Sequence, residues 1–128
     1  MKNFTNLLVT FLLSFAFTFV SAQTTYDVTF RVDMKNVDPT TFTIPEVNGT
    51  FNSWCGNCNP LSDADGDNIW EATIPLQDGT YEFKYSADAW GIQESLTPGG
   101  SCVITTGAYT NRLLTVAGAN VDLGTVCW

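Results

Sequence analysis

The stretch that decides the fold is Trp70-Glu71-Ala72-Thr73-Ile74-Pro75-Leu76-Gln77-Asp78-Gly79-Thr80-Tyr81-Glu82-Phe83-Lys84-Tyr85. Apolar and polar residues alternate on both sides of its centre, which is the pattern of two half-buried β-strands. The central Gln77-Asp78-Gly79 has turn chemistry and predicts a hairpin between them. Trp70 falls on the apolar side of its strand, so we expect it in the core.

Further strands are predicted on both sides of this stretch. Tyr26 to Met34 alternates in the same way, and a polar, Thr-rich connection follows it. The remaining predicted strands are Glu46–Phe51, Cys102–Thr106, Arg112–Ala117 and Val121–Cys127. About seven or eight short strands with frequent turns predict an all-β protein, a single antiparallel β-sandwich.

The N-terminus has the features of a secretory signal peptide. Lys2 precedes an apolar run from Leu7 to Val20, and Val20-Ser21-Ala22 is a small-residue cleavage site. The run is too short for a membrane span, although an uncleaved anchor is the alternative. We therefore expect a signal peptide at residues 1–22 and a secreted or cell-surface domain at residues 23–128, with no membrane insertion after cleavage.

The charge balance narrows the range of partners. The chain has 5 basic and 13 acidic residues, no histidine and a net charge of −8. An acidic surface repels phosphate backbones, so no nucleic acid is expected as a partner. The same repulsion disfavours anionic membranes and strongly anionic polysaccharides, which leaves a neutral polysaccharide as the compatible polymer. Solubility alone would also explain the charge.

Four cysteines are present: Cys55, Cys58, Cys102 and Cys127. An even number in an exported chain indicates two disulfides, and three pairings are possible. We expect Cys55–Cys58, within a Gly/Asn-rich loop, and Cys102–Cys127, between late strands. A redox motif or zinc site is disfavoured, because no βαβ pattern follows and no histidine is available.

Two tryptophans stand in predicted loops. Gly49-Thr50-Phe51-Asn52-Ser53-Trp54 ends a short strand, and Trp90 follows the second strand of the central stretch. An indole offers a broad flat apolar face and one N–H donor at low entropy cost. That suits a sugar ring, which has an apolar C–H face and a polar rim. The alternative is that both rings are core residues, because tryptophan is highly buried on average.

Five stretches in order carry a family resemblance: Glu46–Trp54, Asp67–Ala72, Asp78–Tyr85, Asp88–Trp90 and Thr110–Val116. Together they resemble glycogen-binding and starch-binding modules, which have an early-set immunoglobulin-like fold. The chain is also similar, more loosely, to modules appended to secreted bacterial glycoside hydrolases, including laminarinase-type enzymes.

The resemblance implies a non-catalytic carbohydrate-binding module that takes a neutral glucan, either starch- or glycogen-like or a β-glucan. Carried over by motif, the sugar contacts would be Trp54, Lys84, Trp90 and Asn111, with Tyr109 as a third wall. This chain departs from the family in the Cys-Gly-Asn-Cys segment directly after the loop tryptophan. A bridged loop could stiffen the platform or reshape the groove for a different glycan.

A second candidate site is the acidic turn that contains Asp63, Asp65 and Asp67. Alternating carboxylates in a Gly turn can hold Ca²⁺, and the alternative is a solvated turn. The EF-hand template fails, because Asn68 stands where glycine should be and Ile74 where glutamate should be. We expect no cofactor, and calcium is the one ion considered.

No enzyme activity is expected. No histidine is present for a nucleophile triad, and a small sandwich rarely encloses the long cleft of a glycoside hydrolase. The competing interpretation is a structural spacer in a secreted multidomain protein, since fold does not imply function. The chain stops one residue after Cys127, so we expect a monomer or a module of a longer chain.

Overall fold

The computed structural model describes residues 23–100 and 102–128, and the predicted signal peptide lies outside them. The strands are β1 (Tyr26–Asp33), β2 (Pro45–Gly49), β3 (Ile69–Leu76), β4 (Gly79–Ala87), β5 (Ile92–Gln93), β6 (Val103–Thr106), β7 (Tyr109–Val116) and β8 (Val121–Cys127). A single 3-10 turn, Thr50–Asn52, follows β2 within the described residues. No helix in this part of the chain is long and apolar enough to cross a bilayer.

The strands form two sheets. The first has the order β3-β1-β8, and the second has the order β2-β4-β7-β6 with β5 paired to β4. Every strand pair is antiparallel except β1–β8, which is parallel. The β1–β8 register shifts between Thr29 and Arg31. Gly124, at φ +68°, lies in β8 at this shift, between the paired residues Asp122 and Thr125.

Alternation along the strands places one apolar face of each sheet on a shared core. In β1, Val28, Phe30 and Val32 are fully buried, whereas their neighbours are half-buried or exposed. Phe30 meets Phe83 of the opposite sheet edge-to-face, with ring centroids 5.2 Å apart. The hydroxyl of Tyr85 crosses the core and donates to the carbonyl of Arg31 at 3.1 Å. The molecule is therefore a sandwich-like all-β domain.

The predicted hairpin at Gln77-Asp78-Gly79 is wrong. The turn exists, but β3 pairs with β1 over its whole length, while β4 pairs with strands of the other sheet. The turn is therefore a corner that carries the chain from one sheet to the other. Trp70 lies opposite Val32 on the core side of β3 and packs edge-to-face on Phe42, half-buried, as its position in the alternation predicts.

Two further expectations, one about where a strand ends and one about strand direction, are wrong. The strand expected to reach Phe51 ends at Gly49, because the chain turns into the 3-10 segment there. The expectation of a purely antiparallel sandwich fails at β8, which runs parallel to β1.

Candidate functional site

The loop that carries Trp54 is built on left-handed backbone. Ser53 and Trp54 have φ values of 54° and 58°, a conformation that costs non-glycine residues roughly 1–2 kcal/mol each. The Asn52 carboxamide oxygen holds the loop by accepting from Gly49 N at 2.9 Å and Trp54 N at 3.1 Å. Strain held in place by specific hydrogen bonds is characteristic of functional loops.

The loop that carries Trp90 has the same character. Asp88, Ala89 and Trp90 have φ values of 53°, 55° and 72°, one short run of left-handed backbone between β4 and β5. Glu46, only 3% exposed, accepts from Ala89 N through both carboxylate oxygens, at 3.1 and 3.2 Å. The Asp88 carboxylate ties the turn to the segment before β2 by accepting from the amide of Ile44 at 3.0 Å.

These two loops bring the tryptophans together. The ring centroids of Trp54 and Trp90 are 6.2 Å apart, and the planes are inclined by 39°. Trp90 Nε1 donates to the carbonyl of Trp54 at 3.2 Å, so the indoles are fixed relative to each other. Both are half-buried, and neither belongs to the core that the sheets share. The two tryptophans are therefore neither core residues nor fully exposed, and they form a half-buried, tilted pair.

A buried polar network supports the pair from below. Asn48 is fully buried, accepts from Gly56 N at 2.7 Å and donates to the Ser86 hydroxyl at 2.7 Å. The predicted Cys55–Cys58 disulfide is present and closes the loop around Gly56. A Cβ at Gly56 would lie 3.0 Å from Trp90 Cδ1, so the bridged loop packs directly against the indole.

A groove of about 470 Å³ opens over the pair. It brings together all five residues that the resemblance implies: Trp54, Lys84, Trp90, Tyr109 and Asn111. It is also lined by three residues that sequence reasoning missed: Glu82, Gln93 and Thr106. Its volume lies within the roughly 300–1,000 Å³ range of small-molecule sites.

Sheet register explains why these residues share one face. Glu82 and Lys84 alternate with core residues of β4, and Asn111 lies on the neighbouring β7. The position of Glu82, two residues before Lys84, is a signal that could have identified it from sequence. Tyr109 stands at the rim, 71% exposed, opposite Thr106 of β6.

Lys84 is the cation of the groove. The residue is only 9% exposed, and its ammonium makes no hydrogen bond or ion pair with the residues that the structure describes. No side-chain polar atom in this part of the chain is both fully buried and unpartnered, so the ammonium reaches solvent. It is therefore free to donate to a ligand in the groove.

Glu82 is occupied rather than free. Its two oxygens accept from Thr106 Oγ1 and from Asn111 Nδ2, each at 2.8 Å. The contact orients the Asn111 amide, whose oxygen accepts no bond from a described residue and is left for a ligand donor. The groove thus offers apolar faces with a cationic donor and an amide acceptor at its edge.

The acidic turn also assembles as the sequence suggested. Ligand atoms of Asp63, Asp65 and Asp67 all lie within 4.8 Å of one another. Both oxygens of Asp63 already accept backbone amides, from Asp67 at 3.0 Å and Asn68 at 3.2 Å. These bonds account for the turn by themselves, and calcium binding is the alternative to a solvated turn. A calcium titration that leaves the melting temperature unchanged at millimolar ion would reject it.

The predicted Cys102–Cys127 disulfide is wrong. Both thiols are free and exposed. Cys102 lies before β6 in the second sheet, and Cys127 ends β8 in the first. Sequence spacing gave no information about the relative placement of these two strand ends.

Comparison with known proteins adds no identification. The chain matches no protein-family model, and no curated protein matches it.

Proposed function

We propose that residues 23–128 form a non-catalytic carbohydrate-binding module for a neutral glucan. The observation that carries the proposal is the Trp54–Trp90 pair, which lines one groove together with Lys84, Asn111 and Tyr109. Aromatic faces take the apolar faces of pyranose rings, and a few placed polar groups fix their orientation. The acidic composition, with a net charge of −8, favours an uncharged polymer.

The tilt between the rings refines the expected ligand. Planes inclined by 39° do not form one flat platform. A glucan whose successive sugar rings change direction can stack on both indole rings. A flat, ribbon-like glucan makes good contact with only one of them. The geometry therefore favours a curved glucan, of the starch, glycogen or laminarin kind.

The fold proposed for this module is the early-set immunoglobulin-like sandwich. Two mostly antiparallel sheets around one core support it, as does the order of the motifs along the chain. We further propose export by the signal peptide at residues 1–22, and a role in delivering a secreted glycoside hydrolase or a surface glycan-degrading system to its polymer.

Catalysis is not part of the proposal. General acid–base chemistry on a glycoside needs two suitably spaced carboxyl groups, and Glu82 is the one carboxylate among the groove's described lining residues. Both of its oxygens already accept hydrogen bonds. Incubation with starch, laminarin and xylan should release no reducing sugar. Release of reducing sugar from any of them would overturn the proposal that the domain is non-catalytic.

The direct test is isothermal titration of the mature domain against glycogen, soluble starch and laminarin. Trp54→Ala and Trp90→Ala should each abolish retention on a glucan affinity gel, because truncating an aromatic anchor costs about 2 kcal/mol or more. Trp70→Ala is the matched control, since Trp70 packs on Phe42 and does not line the groove. It should lower the melting temperature and leave affinity unchanged in the folded protein.

The competing spacer role makes the opposite prediction. If the wild-type domain binds none of the three glucans, or if folded Trp54→Ala binds normally, the groove is not a glycan site. The domain would then be assigned as a structural module of a longer secreted protein.

A further inference from the structure

A second hollow adjoins the groove on the same surface. It measures about 450 Å³ and shares Lys84, Gln93 and Tyr109 with the groove. Ser95, Leu96, Pro98 and Ala108 are among its other lining residues. Because three residues line both spaces, the two hollows are neighbours on the surface.

The two parts differ in chemistry. The groove has two indole faces, whereas Tyr109 is the one aromatic side chain among the described residues around the second hollow. Glu94 lies at that hollow, but it is 2% exposed and its carboxylate is bound to Arg112, at 2.6 Å, and to Tyr85 N, at 2.9 Å. What remains for a ligand is the Ser95 hydroxyl, the Gln93 amide and small apolar surface.

Lys84 carries the unpaired donor between the groove and the second hollow. Lys84 lines both spaces, and its ammonium has no partner among the described residues. An ammonium has three donor hydrogens, so it can serve hydroxyl groups on either side at once. Tyr109, 71% exposed, offers a rigid ring and also lines both spaces.

We propose that the bound ligand is an extended run of glucan that crosses from the groove into the second hollow. Sugar units stack on Trp54 and Trp90, the chain passes Lys84 and Tyr109, and the following units hydrogen-bond in the second hollow. The domain therefore recognises a stretch of polymer rather than a short oligosaccharide. This inference rests on the glucan-binding function proposed above.

The test is titration calorimetry with a ladder of oligosaccharides, from two to seven units, of the glucan that binds best as a polymer. Ala108→Leu fills part of the second hollow, since Ala108 is an exposed turn residue that lines it. Ala119→Leu is the matched control, at an exposed bend that lines neither space.

For the wild type we expect the six- and seven-unit chains to bind roughly tenfold tighter than the three-unit chain, as one or two added hydrogen bonds would give. Ala108→Leu should remove that gain and leave trisaccharide binding unchanged, whereas Ala119→Leu should retain the gain. Affinity independent of length in a protein that binds the polymer would overturn the extended site, as would a folded Ala108→Leu with the full gain. Failure to bind any glucan at any length would instead overturn the proposed function, and this inference with it.

Discussion

Gly56→Ala tests whether the bridged loop sets the geometry of the tryptophan pair. Gly56 has φ +90°, where an alanine is strained by roughly 1–2 kcal/mol. The added Cβ would lie 3.0 Å from Trp90 Cδ1 and 3.3 Å from Nε1, closer than the roughly 3.5–4.0 Å of ordinary carbon contacts. Because Trp90 Nε1 is bonded to the Trp54 carbonyl, displacing one indole disturbs the other.

We therefore expect Gly56→Ala to lose about tenfold in glucan affinity, equivalent to about 1.4 kcal/mol. Its melting temperature should fall by about 4–8 °C for each kcal/mol of strain. Gly66→Ala is the matched control, because Gly66 has φ +76° and nothing within 4 Å of the added Cβ. It should lose comparable stability and no affinity.

Calorimetric titration and thermal unfolding of both variants provide the measurement. Folded Gly56→Ala that binds as tightly as Gly66→Ala would refute the argument that loop packing positions Trp90. Equal affinity losses in the two variants would show that general destabilisation, rather than the contact with the indole, controls binding.

Three further changes test other contacts. Lys84→Ala should weaken glucan binding less than loss of either tryptophan, since one hydroxyl contact contributes roughly 0.5–1.5 kcal/mol. Titration beside Trp54→Ala measures this, and an equal loss would contradict it. Glu46→Gln should lower the unfolding free energy by about 1–3 kcal/mol and weaken binding, because its carboxylate holds Ala89 N in the strained turn. Urea unfolding and titration check both, and unchanged affinity would contradict the positioning role. The hydrogen bond from Arg31 lowers the pKa of Asp122 from its usual 3.8. The Arg31–Asp122 interaction therefore stabilises the fold above about pH 4, and this stabilisation is lost as the pH falls through the lowered pKa. Melting temperature should drop in acid below about pH 4, and Asp122→Asn should flatten the drop; an unchanged slope would contradict it.

The local pattern of the sequence predicted the strands well and their partners poorly. The alternation in β1 and β3 depends on one buried face, so both strands were visible without knowledge of their neighbours. The pairing of β3 with β1, and of β8 parallel to β1, depends on contacts distant in sequence. A turn motif between two strands therefore indicated a reversal of the chain but not which sheet receives the second strand.

The candidate site was likewise predicted only where a local sequence pattern shows it. The loop positions of Trp54 and Trp90 were predicted, and the structure brings both to one groove. Their support was not predicted, because Glu46 and Asn48 are polar residues on a strand, and such residues are normally expected in solvent. The loops fold over them and bury them, at 3% and 0% exposure, through contacts that no local pattern encodes.

The parallel β1–β8 pair determines how the domain would carry mechanical load. Parallel neighbours begin at the same end of a sheet, so the chain enters β1 at one end of the domain and leaves β8 at the other. Pulling on residues 23 and 128 slides the two strands past each other and loads all their ladder hydrogen bonds at once, instead of opening them one by one. Single-molecule pulling between these residues should therefore show a single high-force rupture, whereas attachment at residues 23 and 79 should give a lower one. A domain that binds a polymer while the protein chain is under tension would be expected to resist extension between residues 23 and 128.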